Sequence, residues 1–413
     1  MHFKYKNKKL MCEGVAVEGL AKKYGTPLYV MSSKSIIDQY TSFEDAFSGI
    51  DHLTCYAIKA NYNLSIVRLL AKEGAGADVG SSGELFRALT GGINPKKIVM
   101  SGVGKTCSDI EYALKSKILM LKAESFSELQ QINNIAKKLK VIAPVGIRMN
   151  PNVLVDTHAN IATGGMEHKF GIDEKFLPEI LNFIKKAKNI NFVGLDVHVG
   201  SQVPDPKSYT QAIQAILKIK QKIENVGHKI SYVDIGGGFP VTYDEKKEMK
   251  IISHFSREII SALKNCGAVT IFEPGRYLVA NAGILVTEVV TVKENSAKKV
   301  FAVLDAGMTE LMRPALYDAY HNILPVTKHA RKVVTMDLVG PVCESTDAFA
   351  KGRVISQVKE GEFLAIMSSG AYGSVMGSNY NGRLRPYEVL ISDKKVKIIR
   401  KKETFDQMIQ NEI

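Results

Sequence analysis

Between Leu53 and Glu273, short apolar runs alternate with longer stretches whose apolar residues recur at helical spacing. The runs predict strands over 53–58, 76–79, 98–101, 118–121, 141–148, 192–198, 232–235 and 270–273. The stretches between them predict helices over 64–73, 83–89, 127–139, 178–188, 208–226 and 252–266. Ser82 before Gly83-Glu84, Ser108 before Asp109, and Ser125 with Glu128 three residues on read as helix caps. Parallel neighbours need a crossover helix, so repeated βα units imply a parallel sheet. About eight such units fit a closed (β/α)8 barrel better than an open doubly wound sheet. Beyond residue 280 the pattern becomes β-branched: strands are expected over 286–292, 299–304, 332–339 and 362–366, and a hairpin through Ser392-Asp393 within 387–400. The expected fold is α/β: a barrel over 26–280, then a C-terminal all-β domain over 281–413 joined by residues 1–25.

A chain of 413 residues, 45% hydrophobic and 23% charged, buries a core of its own and is not a disordered chain. No run approaches the roughly 18 apolar residues of a membrane span. The first residues carry charge without an apolar segment behind them, so a secretory signal is not expected and a cytoplasmic protein is. Five scattered cysteines with no C-x-x-C pair point to neither a disulfide framework nor a zinc cluster, and no metal is expected. The net charge of +13 raises the possibility of nucleic acid as a partner. The lysines are nevertheless spread along the whole chain, without an RNP, zinc-finger or heptad pattern, and read as a solvated surface. Neither nucleic acid nor membrane is an expected partner.

In a (β/α)8 barrel the active site gathers at the C-terminal ends of the strands. Those ends carry Lys59, Asp78, Arg148, His198 with Ser201, Gly236-Gly237-Gly238, and Glu273 with Gly275-Arg276. Lys59 closes an apolar run and is either a snorkelling surface lysine or, with the other strand ends beside it, a Schiff-base lysine. The triple glycine is either a tight turn or a loop whose backbone closely approaches an anion, at a position where barrels commonly hold phosphate. A lysine plus a phosphate cradle points to pyridoxal 5'-phosphate. Glu273 fits beside the pyridine nitrogen, which it keeps protonated as an electron sink. His198 is either a core histidine or an imidazole lying on the cofactor ring. Asp78 either belongs to the cofactor site, caps the following helix, or pairs with Lys59.

Tyr56-Ala57-Ile58-Lys59-Ala60-Asn61, Gly76-Ala77-Asp78-Val79-Gly80-Ser81-Ser82-Gly83-Glu84, His198-Val199-Gly200-Ser201-Gln202, the triple glycine and Glu273-Pro274-Gly275-Arg276 together resemble the fold-type III pyridoxal-phosphate-dependent amino-acid decarboxylases. Asn150-Pro151, Thr157-His158, Lys169-Phe170-Gly171, Arg313-Pro314-Ala315-Leu316-Tyr317 and Cys343-Glu344-Ser345-Thr346-Asp347 extend the resemblance, in order, over nearly the whole chain. Its strongest form is to the branch that converts meso-2,6-diaminopimelate to L-lysine and carbon dioxide. The resemblance implies that Lys59 carries the cofactor, His198 stacks on its ring, and Ser201 with Gly236, Gly237 and Gly238 holds the phosphate. Glu273 pairs with the ring nitrogen, with Gly275 alongside. Arg276, which with Gly275 also belongs to the cofactor site, joins Arg313 and Tyr317 in taking the distal carboxylate, Glu344 takes the distal ammonium, and Tyr372 touches both cofactor and substrate. Cys343 is the implied proton donor, and a homodimer follows because Cys343 and Glu344 of each subunit reach the other's site.

Taken alone, Arg313 and Tyr317 equally cover one face of a short helix, Cys343 reads as a small hydrophobe, and Glu344 as a surface charge. Relatives acting on ornithine, arginine or carboxynorspermidine compete, but a bare distal amine needs acids where Arg313 stands. An alanine-racemase-like enzyme is implied to have an arginine at the ring nitrogen, not Glu273. A catalytically dead homologue is expected to have lost Lys59 or Cys343. The segment 153–166, with Gly164-Gly165, is expected to close over substrate.

Overall fold

The computed structural model describes residues 2–150, 169–244 and 251–413. The chain divides into two compact units: Tyr40–Pro240 with Met249–Tyr277, and Met1–Gln39 with Val241–Glu248 and Leu278–Ile413.

The first unit is built on eight parallel strands: β1 (His52–Ala57), β2 (Gly76–Val79), β3 (Ile98–Met100), β4 (Met120–Ala123), β5 (Ala143–Arg148), β6 (Ile190–Asp196), β7 (Tyr232–Asp234) and β8 (Val269–Phe272). They pair in chain order and close, β8 onto β1, into a barrel. Cys55, Val99, Met120 and Ile271 form one apolar layer of its interior. A Cβ on Gly146 of β5 or Gly194 of β6 would lie 2.6 or 2.5 Å from the Met120 sulfur, so the two glycines make room for that side chain. Strand side chains alternate with period two. Lys122 and Glu273, two residues beyond Met120 and Ile271, therefore belong to the next layer up.

The fourth strand begins two residues later than its apolar run predicts. The preceding helix, Cys107–Lys115, leaves through Lys117 in the left-handed region, and Ile118-Leu119 spans the distance to the ladder. Two caps also move: Ser81, not Ser82, accepts from the Glu84 N–H, and Thr106, not Ser108, forms a reciprocal capping box with Asp109. Ser125 caps its helix through the Glu128 N–H as expected.

The second unit is mostly sheet. Its long path runs Ala348–Ser356, Val333–Val339, Val300–Leu304, Gly283–Glu294, Leu28–Ser32, Tyr387–Ser392 and Lys395–Arg400. Leu28–Ser32 lies outside the barrel, although the expected boundary at residue 26 places it inside. It pairs antiparallel with Gly283–Glu294 and parallel with Tyr387–Ser392. All five of its residues are buried, with Tyr29 in one apolar cluster and Leu28 and Val30 in another. The strand is thus covered on both faces, and such a strand reads as a continuous apolar run whichever sheet it joins. The final hairpin turns at Asp393-Lys394, one residue later than expected. Both residues have positive φ, as a two-residue turn matching strand twist requires.

Candidate functional site

At the C-terminal end of the barrel, Lys59 follows β1 in a short 3-10 turn, Ile58–Ala60. Its side chain is 51% exposed, and its ammonium lies 3.2 Å from the buried Asp78 carboxylate at the end of β2. Lys59 is therefore accessible, and pairing with Asp78, rather than burial, governs it. The Ser101 hydroxyl donates to Asp78 Oδ1 at 2.7 Å and lies 3.4 Å from Glu273 Oε1. Burial pushes the Asp78 carboxyl up, but Lys59, Lys122 and the Ser101 hydroxyl together hold it below the usual carboxylate range. The helix after β2 is capped by Ser81, which removes the capping reading of Asp78.

Lys122, on β4, meets the expectation of a desolvated strand-end lysine. Its side chain is fully buried, and its ammonium is paired with Asp196 Oδ1 at 3.0 Å and with the carboxylates of Asp234 and Glu273. Carboxylate oxygens of these three acids lie within 4.8 Å of one another, as they do around a metal ion; here the cation among them is Lys122. Burial pushes the Glu273 carboxyl well up, and repulsion from Asp234 and Asp78 adds to it against the pull of Lys122. Burial likewise pushes Asp234 up, to about 7. On Lys122 burial acts downward and is outweighed by Asp196, Asp234 and Glu273, so the ammonium stays charged. A lysine held this way is no nucleophile; Lys59, with the accessible amine, is the one that can be.

The glycine loop after β7 packs directly against the neighbouring strand ends. A Cβ on Gly236 would fall 2.1 Å from His198 Nδ1, one on Gly237 2.2 Å from the Glu273 carbonyl oxygen, and one on Gly238 2.3 Å from the Gly200 carbonyl oxygen. Gly236 and Gly238 also have positive φ. The Gly236 N–H donates to Asp234 Oδ1 at 2.8 Å and the Gly237 N–H to His198 Nδ1 at 3.2 Å. These two N–H groups serve acid and imidazole, so the loop's first contribution is close approach rather than a ring of anion donors. Because Nδ1 accepts, the His198 proton sits on Nε2. Burial, with Arg148 and Lys59 nearby, pushes the imidazole pKa well down and keeps it neutral. Ser201 Oγ accepts from Arg276 Nη2 at 3.0 Å, so Arg276 joins the serine expected at the phosphate. Gly275 packs on Ala57, where a Cβ would lie 3.0 Å from the alanine methyl. Pyridoxal phosphate needs an accessible lysine, a buried acid for its ring nitrogen, a neutral ring partner and hydroxyl and guanidinium donors for phosphate. The strand ends present all of these, and the donor set fits the group.

In the second unit, Arg313 and Tyr317 stand on one short helix, Arg313–Tyr317. Arg313 is buried, its guanidinium 4.4 Å from the centroid of the Tyr243 ring and 2.8 Å from His321 Nε2. His321 Nδ1 lies 2.7 Å from the Met367 carbonyl oxygen. A carbonyl only accepts, so Nδ1 carries the proton and Nε2 accepts from Arg313. Cys343 and Glu344 sit exposed on the loop between Gly340 and Asp347. Buried Asp347 staples that loop by accepting from the N–H groups of Met308 at 2.6 Å and Val342 at 2.7 Å. The Cys343 N–H donates to Asn381 Oδ1 at 2.9 Å, and Tyr380 OH donates to Glu344 Oε1 at 2.6 Å. Tyr372 has positive φ after buried Ala371.

The sequence reading passes over Lys122, Ser101 and His321. Two of these were within reach: Ser101 and Lys122 are the ends of the third and fourth strands, and Leu119-Met120-Leu121-Lys122 repeats the apolar-run-then-lysine pattern of Lys59. His321 lies in a connecting segment, where no local pattern marks it. The segment 153–166 lies outside the described residues.

The family described as pyridoxal-dependent decarboxylase, pyridoxal binding domain, matches residues 33–280. Diaminopimelate decarboxylase of Aquifex aeolicus is 42% identical over 409 residues, covering 99% of this chain and 97% of that protein. The diaminopimelate decarboxylase of Helicobacter pylori strain J99 is 41% identical, covering 96% of this chain and 98% of that one. The crystal structure of the Helicobacter pylori diaminopimelate decarboxylase complexed with L-lysine superposes with a TM-score of 0.91 at 40% identity, over 95% of this chain and 98% of that chain. That of the diaminopimelate decarboxylase from M. jannaschi gives 0.95 at 37% identity, over 100% and 98%. With a barrel whose strand ends hold the donor set of pyridoxal phosphate, and with likeness along nearly its whole length, the chain belongs to the diaminopimelate decarboxylases of the pyridoxal-dependent decarboxylase family.

Proposed function

We propose that the protein decarboxylates meso-2,6-diaminopimelate to L-lysine and carbon dioxide with pyridoxal 5'-phosphate as cofactor, in a homodimer whose subunits complete each other's sites. The observation that carries this reading is the presence, at one barrel mouth, of both an accessible lysine, Lys59, and a buried glutamate, Glu273. The cofactor, when bound, supplies the electron sink that takes the pair left at the α-carbon as the carboxylate departs. Lys59 would hold it through its amine, which Asp78 keeps in place at 3.2 Å. Glu273 would face the ring nitrogen and hold a proton there. His198, fixed through Nδ1 by Gly237, presents a neutral face, and Ser201 with Arg276 holds the phosphate. Cys343 Sγ gives its proton to the carbon that has lost carbon dioxide.

The distal end of the substrate is itself an amino acid, so it calls for opposite charges in fixed places. Arg313, held by His321 and Tyr243, suits its carboxylate through a bidentate fork; Tyr317 and Tyr372 flank it, and Glu344 suits its ammonium. Cys343 and Glu344 stay exposed on a stapled loop, which fits their docking onto a second copy of the chain. All five cysteines are unpaired, which fits the reducing cytoplasm. Among the described residues no helix is long and apolar enough to cross a membrane.

Carbon dioxide release from meso-2,6-diaminopimelate, with ornithine, arginine and carboxynorspermidine in parallel, tests the proposal. Release from the first alone, abolished in Lys59→Ala and weakened by about 2–5 kcal/mol of binding in Arg313→Ala, is expected. Release from another of the four would overturn the roles given to Arg313 and Glu344.

A further inference from the structure

Lys122 belongs to the same barrel layer as Glu273, one layer above Met120 and Ile271, and its ammonium touches Asp196, Asp234 and Glu273. Arg148 approaches the group from β5, its Nε 3.6 Å from Asp196 Oδ2. Arg148 also pairs with buried Glu124 at 3.2 Å, so four carboxyl groups meet two cations. Without Lys122 they would meet one, at a depth where uncompensated charge is expelled by taking up protons. Lys122 lies directly against Glu273, its ammonium on the Oε1 oxygen. A cation there favours the ionised carboxyl over the protonated one. A proton shared between Glu273 and a base facing it is therefore driven away from Glu273.

We propose that Lys122 is a positioning residue for Glu273: its ammonium fixes one oxygen of the carboxyl group and drives the shared proton onto the cofactor's ring nitrogen. This rests on the assignment of Glu273 to that nitrogen. Burial, Asp234, which shares the Lys122 ammonium, and Asp78 oppose the effect, since each favours a protonated Glu273.

The test uses the holoenzyme loaded with pyridoxal phosphate carrying 15N in the ring. Its chemical shift separates pyridinium from pyridine, which packing alone does not change. The wild type is expected to show pyridinium. Lys122→Met is expected to move the shift toward pyridine and to raise the dissociation constant of the cofactor roughly tenfold, the loss of about 1.4 kcal/mol. Adding Asp234→Asn to Lys122→Met removes one anion with the cation and is expected to return the shift part of the way. A wild-type shift in Lys122→Met overturns the proposal. Should Lys122→Met not fold, Asp234→Asn is compared with Lys122→Met/Asp234→Asn, a pair differing only in the lysine; identical shifts in that pair overturn it equally. Glu273→Gln separates the two levels. If it leaves the shift unchanged, the assignment of Glu273 fails and Lys122 loses its role with it. If it moves the shift while the lysine variants do not, Glu273 stands and the role of Lys122 is refuted.

Discussion

Two lysines at neighbouring levels of one barrel show how environment, not residue type, sets chemistry. Among the described residues Lys59 is half exposed and pairs with the Asp78 carboxylate, so its amine can be released for reaction; Lys122 is fully buried against three carboxylates and serves as a fixed charge. Arg313 presents the same distinction. A guanidinium has no preferred direction of its own, and here the direction comes from a histidine whose other nitrogen is committed to the Met367 carbonyl. Replacing His321 by alanine removes one hydrogen bond to a charged group, worth about 1.5–3 kcal/mol. KM for meso-2,6-diaminopimelate is expected to rise at least roughly tenfold while kcat changes little, because Arg313 binds the end of the substrate that does not react. Steady-state kinetics would check this, and a fall in kcat at unchanged KM would contradict it.

Among the elements, the helix Cys107–Lys115 depends most visibly on a single side chain. Asp109 closes its capping box with Thr106 and also accepts from the N–H and hydroxyl of Ser82, at the start of the preceding helix. Burial pushes this carboxyl up, but the hydrogen bonds from Ser82 and Thr106 outweigh burial and hold it at about 2, against roughly 3.9 in an unfolded chain. A depressed folded-state pKa contributes stability that is present above about pH 4 and lost as pH falls toward 2. Asp109→Ala is expected to cost about 1–2 kcal/mol at pH 7, a gap that narrows by pH 3. Urea unfolding at both pH values measures it, and an equal gap would rule out the carboxylate as its source. Ser108 was the cap expected from sequence. Thr106 takes the role because the box needs its acid three residues on, and Asp109 is three residues from Thr106 but adjacent to Ser108. The strands were legible because buried parallel strands are unbroken apolar runs, and their ends gave Lys59, His198, the glycines and Glu273. An apolar run does not state where pairing begins. The fourth strand therefore starts two residues late, past Ile118-Leu119, and Leu28–Ser32, buried on both faces, gave no sign of which sheet it joins.

At the scale of the molecule, the residues of the proposed reaction are divided between the two compact units: Lys59, His198 and Glu273 in one, Arg313, Cys343 and Glu344 in the other. If Cys343 serves the site of the other subunit, the two defects Lys59→Ala and Cys343→Ala complement each other. In a hybrid dimer one site then carries both defects and the other carries neither. Random assembly of equal amounts makes about half the dimers hybrid, each with one intact site of two, so activity should reach about a quarter of wild type from two nearly inactive parents. If Cys343 serves its own subunit, each hybrid site carries one defect and the mixture shows only the mean of the parents. Coexpression with two different affinity tags isolates the hybrid directly. There the expected value rises to about half of wild type, because every dimer then contains one intact site.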